Sequence, residues 1–249
     1  MNETIDLLLT HKSVRAFEPV PIPEEDVRTI LQCAVNAATA GNMTLWSAIR
    51  VTDPALKHEL AEHCDHQPMI EKAPLVLVFY ADYHRWMEAF GTVPLDAPLR
   101  QPGDGDRVLA TMDAIIAGSA AVTAAEALGY GACYIGDVIE NWEWHRETFG
   151  LPAWVQPVCM AIIGVPTQAA KDRPKPPRFK VEDVVFENGY RDGGAEKMLT
   201  MLRERQGKAD EAAFTEWLRA FTLRKWNCAF SEEMSRSASK MVEEWDAGR

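Results

Sequence analysis

The sequence predicts an α+β fold layered around one sheet, on three observations. Helical and strand patterns are interleaved without the regular βαβ alternation of a doubly wound fold. The segment Pro74 to Ala81 (PLVLVFYA) is apolar on both faces, as a central strand must be. A chain of 249 residues, 47% of them hydrophobic, is long enough to bury one sizeable core.

In chain order, an N-terminal helix comes first. A second helix then opens at Pro23, with Glu24, Glu25 and Asp26 near its positive end, and carries an apolar stripe of Val27, Ile30, Leu31, Ala34, Val35 and Ala38. Thr39 to Asn42 closes it in a loop. Ser47 to Thr52 reads as a strand, Pro54 to His63 as a helix, Pro74 to Ala81 as the central strand, and residues 83–106 as irregular. A long helix from about Arg107 to Leu128 ends at Gly129 and Gly131, and Ala132 to Ile135 is a short strand. Val155 to Ile163 (VQPVCMAII) is a strand in which Pro157 marks an edge or a bulge near the start. Pro166 to Pro177 is a proline-rich loop. Charged helical segments follow at 194–206, 209–223 and 231–246.

Composition removes several function classes. A formal net charge of −11 argues against a nucleic-acid partner, which needs a basic footprint. The start, MNETIDLLLTHKSVRAF, lacks the apolar core of a secretory signal, so a cytoplasmic location is expected. Ala110 to Leu128 is the most apolar long stretch. It carries Asp113 and Glu126 among small residues and reads as a buried helix, with no membrane partner expected. Five scattered cysteines without a CxxC pair suggest reduced thiols. His58, His63, Cys64 and His66 are a tempting metal cluster, but no paired-cysteine or carboxylate frame supports them, and no metal is expected. Trp142, Trp144 and Phe149 either cover the core or a dimer contact, or form a stacking platform for a ring-shaped substrate.

Two basic islands stand against this acidic background. One is His11, Lys12 and Arg15 around Ser13; the other is Lys171, Arg173, Lys175, Arg178 and Lys180, opposed only by Asp172. Meeting in the fold, they would neutralise a phosphate dianion; otherwise both are solvated loops. The usual phosphate cradles are missing: no GxxxxGK[ST] occurs, and Gly129-Tyr130-Gly131 has Tyr134 where a third glycine would stand.

Four segments resemble the nitroreductase superfamily in order and spacing. They are His11-Lys12-Ser13-Val14-Arg15-Ala16-Phe17, Ala40-Gly41-Asn42-Met43-Thr44-Leu45-Trp46, Gly129 to Gly136 (GYGACYIG), and Gly164-Val165-Pro166 with Lys175 and Arg178. Lys12, Thr44 and Asp137 depart from the commoner family residues. The resemblance implies a layered fold with a central, mainly antiparallel sheet flanked by helices, in an obligate-type homodimer. It implies an FMN-binding core over 1–190, a helical extension over 191–249 packed on the core or the dimer partner, and FMN sites between subunits. By this resemblance His11, Lys12, Ser13, Arg15, Lys175 and Arg178 hold the FMN phosphate and ribityl chain. Thr39, Ala40 and Asn42 line the flavin, Gln67 lies near the ribityl chain or ring edge, and Ile135 and Gly136 present backbone to the isoalloxazine.

The function so implied is an NAD(P)H-dependent FMN oxidoreductase. NADH or NADPH is the electron donor, and nitroaromatics, quinones or similar small electrophiles are the acceptors. No catalytic side chain is nominated, because FMN itself carries the electrons. The alternatives are a specialised flavin-modifying member of the superfamily and a non-catalytic flavin-binding interaction protein.

Overall fold

The computed structural model describes residues 2–208 and 210–247. Met1, Ala209, Gly248 and Arg249, which fall at the ends of the expected regions and of the expected 209–223 helix, lie outside the described residues. The chain divides into two compact units, residues 1–173 with 233–249, and residues 174–232.

The first unit runs α1 (Glu3–Thr10), α2 (Glu24–Val35), β1 (Trp46–Val51), α3 (Pro54–Glu62), α4 (Pro68–Lys72), β2 (Leu75–Asp82), α5 (His84–Phe90), α6 (Asp104–Ala127), β3 (Gly131–Ile135), α7 (Trp142–Phe149), β4 (Val155–Gly164) and α8 (Gln168–Asp172). The second carries α9 (Val181–Val184), α10 (Gly194–Gln206), α11 (Glu211–Lys225) and the start of α12 (Ala229–Ala247), whose remainder from Glu233 onward belongs to the first unit.

The four strands form one sheet in the order β1-β2-β4-β3, and every pairing is antiparallel. All eight residues of β2 are buried, as its double-faced apolar pattern predicts. The strand period of two sends alternate residues to two cores. Leu75, Leu77 and Phe79 pack with Ile30 and Ala34 of α2 and with Ala114, Ala117 and Ala121 of α6. Val76, Val78 and Tyr80 pack with Leu60, Ile70, Trp142 and Met241 on the opposite face. The sheet is therefore covered by helices on both sides.

Pro157 sits next to a bulge. The register steps from Phe79 opposite Cys159 to Tyr80 opposite Pro157, leaving Val158 as the extra residue. β3 pairs only with residues 160–164, so β4 is flanked by β2 alone where the proline falls.

Within 83–106, expected to be irregular, the structure has α5 and the first turn of α6. Tertiary anchors explain α5, which lacks a side-chain cap: Met87 is buried, and Trp86 Nε1 donates to the Met43 carbonyl at 2.7 Å. The start of α6 is moved forward by Asp106, whose carboxylate accepts from Gly103 N at 2.8 Å and pairs with Arg100 at 2.5 Å. That guanidinium holds the Asp106 carboxyl down at about 2. The short helices α4, α8 and α9 carry too few residues for a sequence period to reveal them.

α6 is long and apolar enough by composition to cross a bilayer, but half of that stretch is buried within the protein. Its small residues Ala110, Ala114, Ala117, Gly118, Ala121 and Ala125 allow close approach to the sheet. Val108, Met112, Ile115 and Ile116 form an exposed apolar stripe along the same helix.

In the second unit, α10 and α11 pack through buried Met201, Leu202 and Phe214, with the Arg203 guanidinium 4.6 Å from the Phe214 ring centre.

Candidate functional site

The segment after α1 is laid along the edge of the sheet by its backbone. Val14 N donates to Ala132 O at 2.8 Å, Glu18 N to Val165 O at 2.8 Å, and Thr167 N to Ala16 O at 3.1 Å. A Cβ on Gly131 would lie 2.7–2.9 Å from the Val14 side chain, so the approach needs glycine at that position. Three of the four sequence motifs, those at residues 11–17, 129–136 and 164–166, thus form one contiguous ribbon.

The side chains on this ribbon divide into two groups. His11 Nδ1 pairs with Glu126 Oε1 at 2.6 Å, and Lys12 Nζ donates to the carbonyls of Lys171 and Arg173 at 2.5 and 2.6 Å. His11 and Lys12 thus both have protein partners, and Lys12 ties the first basic island to the start of the second. Ser13 and Arg15 face Cys133, whose thiol is pushed up by burial and drawn partly back by the Arg15 charge and a Ser13 hydrogen bond. Arg15 is exposed.

Ile135 is buried at the end of β3, and Gly136 follows it, exposed, with no atom within 4 Å of where a Cβ would be. The backbone at Gly136 is therefore not covered by a side chain at that position. Gln67 precedes α4 at its N-cap position without a side-chain capping bond; its Nε2 donates to Cys64 O at 2.9 Å and its N–H to Ala61 O at 3.0 Å.

The remaining motif lies elsewhere. Thr39, Ala40 and Asn42 belong to a loop held by Asp113 of α6, which is only 3% exposed. That carboxylate accepts from the Thr39 hydroxyl, from Ala40 N at 3.0 Å and from Leu45 N at 3.1 Å, and the Thr39 hydroxyl in turn accepts from Thr44 N at 2.7 Å. Arg85 donates to the carbonyls of Thr44 and Trp46 at 3.2 and 2.6 Å. Gly41, Asn42 and Thr44 all have φ between 54 and 58°.

This loop leads into β1, at the opposite edge of the sheet from β3, three strand spacings or about 14 Å away. Its anchor, Asp113, is separated from Glu126, the partner of His11, by about 20 Å along α6 at 1.5 Å per residue. Lys175 and Arg178 lie in the second unit on the exposed segment 174–180, where Arg178 Nη1 donates to Pro176 O at 3.3 Å.

Asp113 is the residue that the sequence signalled without disclosing its use: a lone carboxylate in a helix of small apolar residues. Glu140, 5% exposed after the one-turn segment Asp137–Ile139, carried no comparable signal.

The other sequence clusters have structural roles. His58 pairs with Glu71 and His66 with Glu62, while His63 stacks on Trp144 with centroids 4.0 Å apart. Trp142 is buried, and Phe149 packs edge-on against Tyr80, so these aromatics cover the core. Burial pushes the thiols of Cys64 and Cys159 up, the latter to about 12.

The model of the nitroreductase family matches residues 8–165, well over half the chain, taking in three of the four resembling segments and Gly164-Val165 of the fourth. The chain belongs to the nitroreductase family. This family member is 31% identical over 192 residues to an NADPH-flavin oxidoreductase of Vibrio harveyi, covering 77% of this chain and 76% of that one. It is 33% identical over 192 residues to an oxygen-insensitive NADPH nitroreductase of Salmonella typhimurium, covering 76% and 75%. Among solved structures, the NADPH:FMN oxidoreductase from Vibrio harveyi complexed with NAD+ superposes with a TM-score of 0.80 at 26% identity, covering 97% of this chain and 98% of that one. The antiparallel sheet with helices on both faces is thus the nitroreductase fold.

Proposed function

We propose that this nitroreductase-family chain is an FMN-dependent oxidoreductase that takes hydride from NADH or NADPH and reduces small electrophiles such as nitroaromatics and quinones. The observation that carries the proposal is the ribbon of Ser13 and Arg15 running beside β3 to the open backbone at Gly136. Its donor chemistry fits FMN: a cation and a hydroxyl for a phosphate, and at the strand end a glycine backbone not covered by a side chain at that position.

Ser13 and Arg15 hold the phosphate and ribityl chain, while His11 and Lys12 hold the ribbon in shape. Gln67, Ile135 and Gly136 border the ring. Once bound, FMN supplies the hydride-accepting and electron-passing chemistry, and the protein orients it and excludes water. No acid–base side chain is assigned.

The same reasoning makes the protein a homodimer. Thr39, Ala40 and Asn42 lie at the far edge of the sheet from Ser13 and Arg15, so one flavin meets both sets only if the loop comes from a second copy. The exposed stripe Val108, Met112, Ile115 and Ile116 on α6, with Ile5 and Leu8 on α1, supplies an apolar surface for that copy. Residues 1–190 are then the flavin-binding core, 191–249 the helical extension, and the cytoplasm the site of action.

The expected result is that the purified protein is yellow, that pigment released by heat chromatographs as FMN, and that sedimentation gives a flavin-loaded dimer. A flavin-loaded monomer would remove the shared site.

A further inference from the structure

Immediately after Gly136 in the chain, the turn of residues 137–140 ends on a mostly buried carboxyl residue. Glu140 is 5% exposed, and its Oε1 has no hydrogen-bond partner. A carboxylate oxygen buried without a partner is costly, and this group faces further negative charge. Asp137 comes from its own turn, Asp65 from the loop after α3, and Glu233 from α12. The Cys64 thiol at the end of α3 is also close. Arg236 of α12, which pairs with Glu233 at 2.7 Å, also forks onto Glu143 at 2.8 and 2.9 Å.

The turn is clasped from outside by α12. Asn141, at φ 51°, donates its N–H to Glu233 Oε1 at 3.1 Å and its Nδ2 to His63 O at 2.9 Å, while Trp142 N donates to the buried Ser237 hydroxyl at 2.9 Å. Residues 136–142 are therefore held between α3 and α12, with Glu140 in the middle.

Building on the FMN site proposed above, we propose that Glu140 is a positioning residue: its neutral carboxyl lets the 136–141 turn pack, and its ionisation displaces the Gly136–Asp137 backbone that faces the flavin. The inserted charge would confront Asp65, Asp137 and Glu233, and no cation among the described residues acts on it. Burial first, and these three carboxylates next, push Glu140 from 4.5 up to about 8. A carboxyl raised in the folded state adds stability that is fully present below its unfolded value near 4.5 and lost as pH rises through about 8. If only the neutral form binds flavin, the competent fraction falls about tenfold for each pH unit above the midpoint.

The test compares the full-length parent protein with Glu140→Gln, which keeps the shape and cannot ionise. FMN dissociation constants are measured by fluorescence quenching between pH 6 and about 9, alongside melting of the apo-proteins over the same range and down to about pH 5. The parent is expected to bind FMN about tenfold more weakly at pH 9 than at pH 7. Glu140→Gln should bind equally at both, and its melting temperature should fall less with pH than the parent's. Parallel pH profiles for parent and variant, in binding and in melting, would overturn the proposal. A Glu140-dependent melting profile with pH-independent FMN affinity would overturn its link to the flavin backbone. If neither protein binds FMN at any pH, the flavin site itself fails, while the apo melting curves still decide whether Glu140 titrates.

Discussion

Asp113→Ala is expected to destabilise the protein by about 3 kcal/mol, a large effect for a residue outside the apolar core. The carboxylate is buried on α6 and receives three donors, the Thr39 hydroxyl and the N–H groups of Ala40 and Leu45. Removing it leaves those donors without their acceptor, and each orphaned buried group costs about 1–3 kcal/mol, less than additively when they share one partner. A second cost follows through Thr39, whose hydroxyl receives Thr44 N while Thr44 sits at φ 54°, a conformation that a β-branched residue holds only under constraint. Asp113→Asn keeps the volume and one acceptor oxygen, and should cost about half as much. Urea unfolding of the apo-proteins checks both; a shift below about 0.5 kcal/mol for Asp113→Ala would mean that the loop is held by Arg85 and Trp86 alone.

Arg15→Ala is expected to raise the FMN dissociation constant roughly tenfold to a hundredfold while leaving apo stability within about 0.5 kcal/mol of the parent. A charge-assisted hydrogen bond to a phosphate contributes about 1.5–3 kcal/mol, which corresponds to that range of affinity. Stability should hold because Arg15 is exposed, on a ribbon fixed by the backbone of Val14 and Glu18 rather than by its own side chain. Loss of the neighbouring charge should also raise the Cys133 thiol further, since Arg15, with Ser13, draws it down against burial. Titration of the apo-protein by flavin fluorescence, with melting of the same samples, separates binding from folding. Equal affinity in the variant would remove Arg15 from the phosphate site.

Much of the fold was legible because the decisive patterns were strong. Seven consecutive apolar residues, Leu75 to Ala81, gave β2 as a doubly covered strand, and the alanine-rich stretch gave α6 as a buried helix. Pro157 correctly marked the bulge beside Val158, although β4 lies inside the sheet, because β3 stops short of the proline. What escaped was structure stabilised from a distance. α5 depends on Met43 and a buried Met87, and α7 on Glu233 and Ser237, nearly a hundred residues away.

The site followed the same rule. The cations of residues 11–15 were visible as charge against an acidic background, but their division of labour was not. Only the fold shows that His11 and Lys12 already have partners in Glu126, Lys171 and Arg173, leaving Ser13 and Arg15 beside Cys133. The separation of Thr39, Ala40 and Asn42 from that ribbon likewise depends on strand order, which local sequence does not encode.

The most direct test of the account is the absorption spectrum of the purified full-length protein, reconstituted with FMN where needed and recorded anaerobically before and after addition of NADPH or NADH. The expected result is a bound-flavin spectrum that bleaches on addition of the nicotinamide and returns when a nitroaromatic or quinone is added. A protein that stays colourless and takes up no FMN, or whose bound flavin neither nicotinamide reduces, would contradict it.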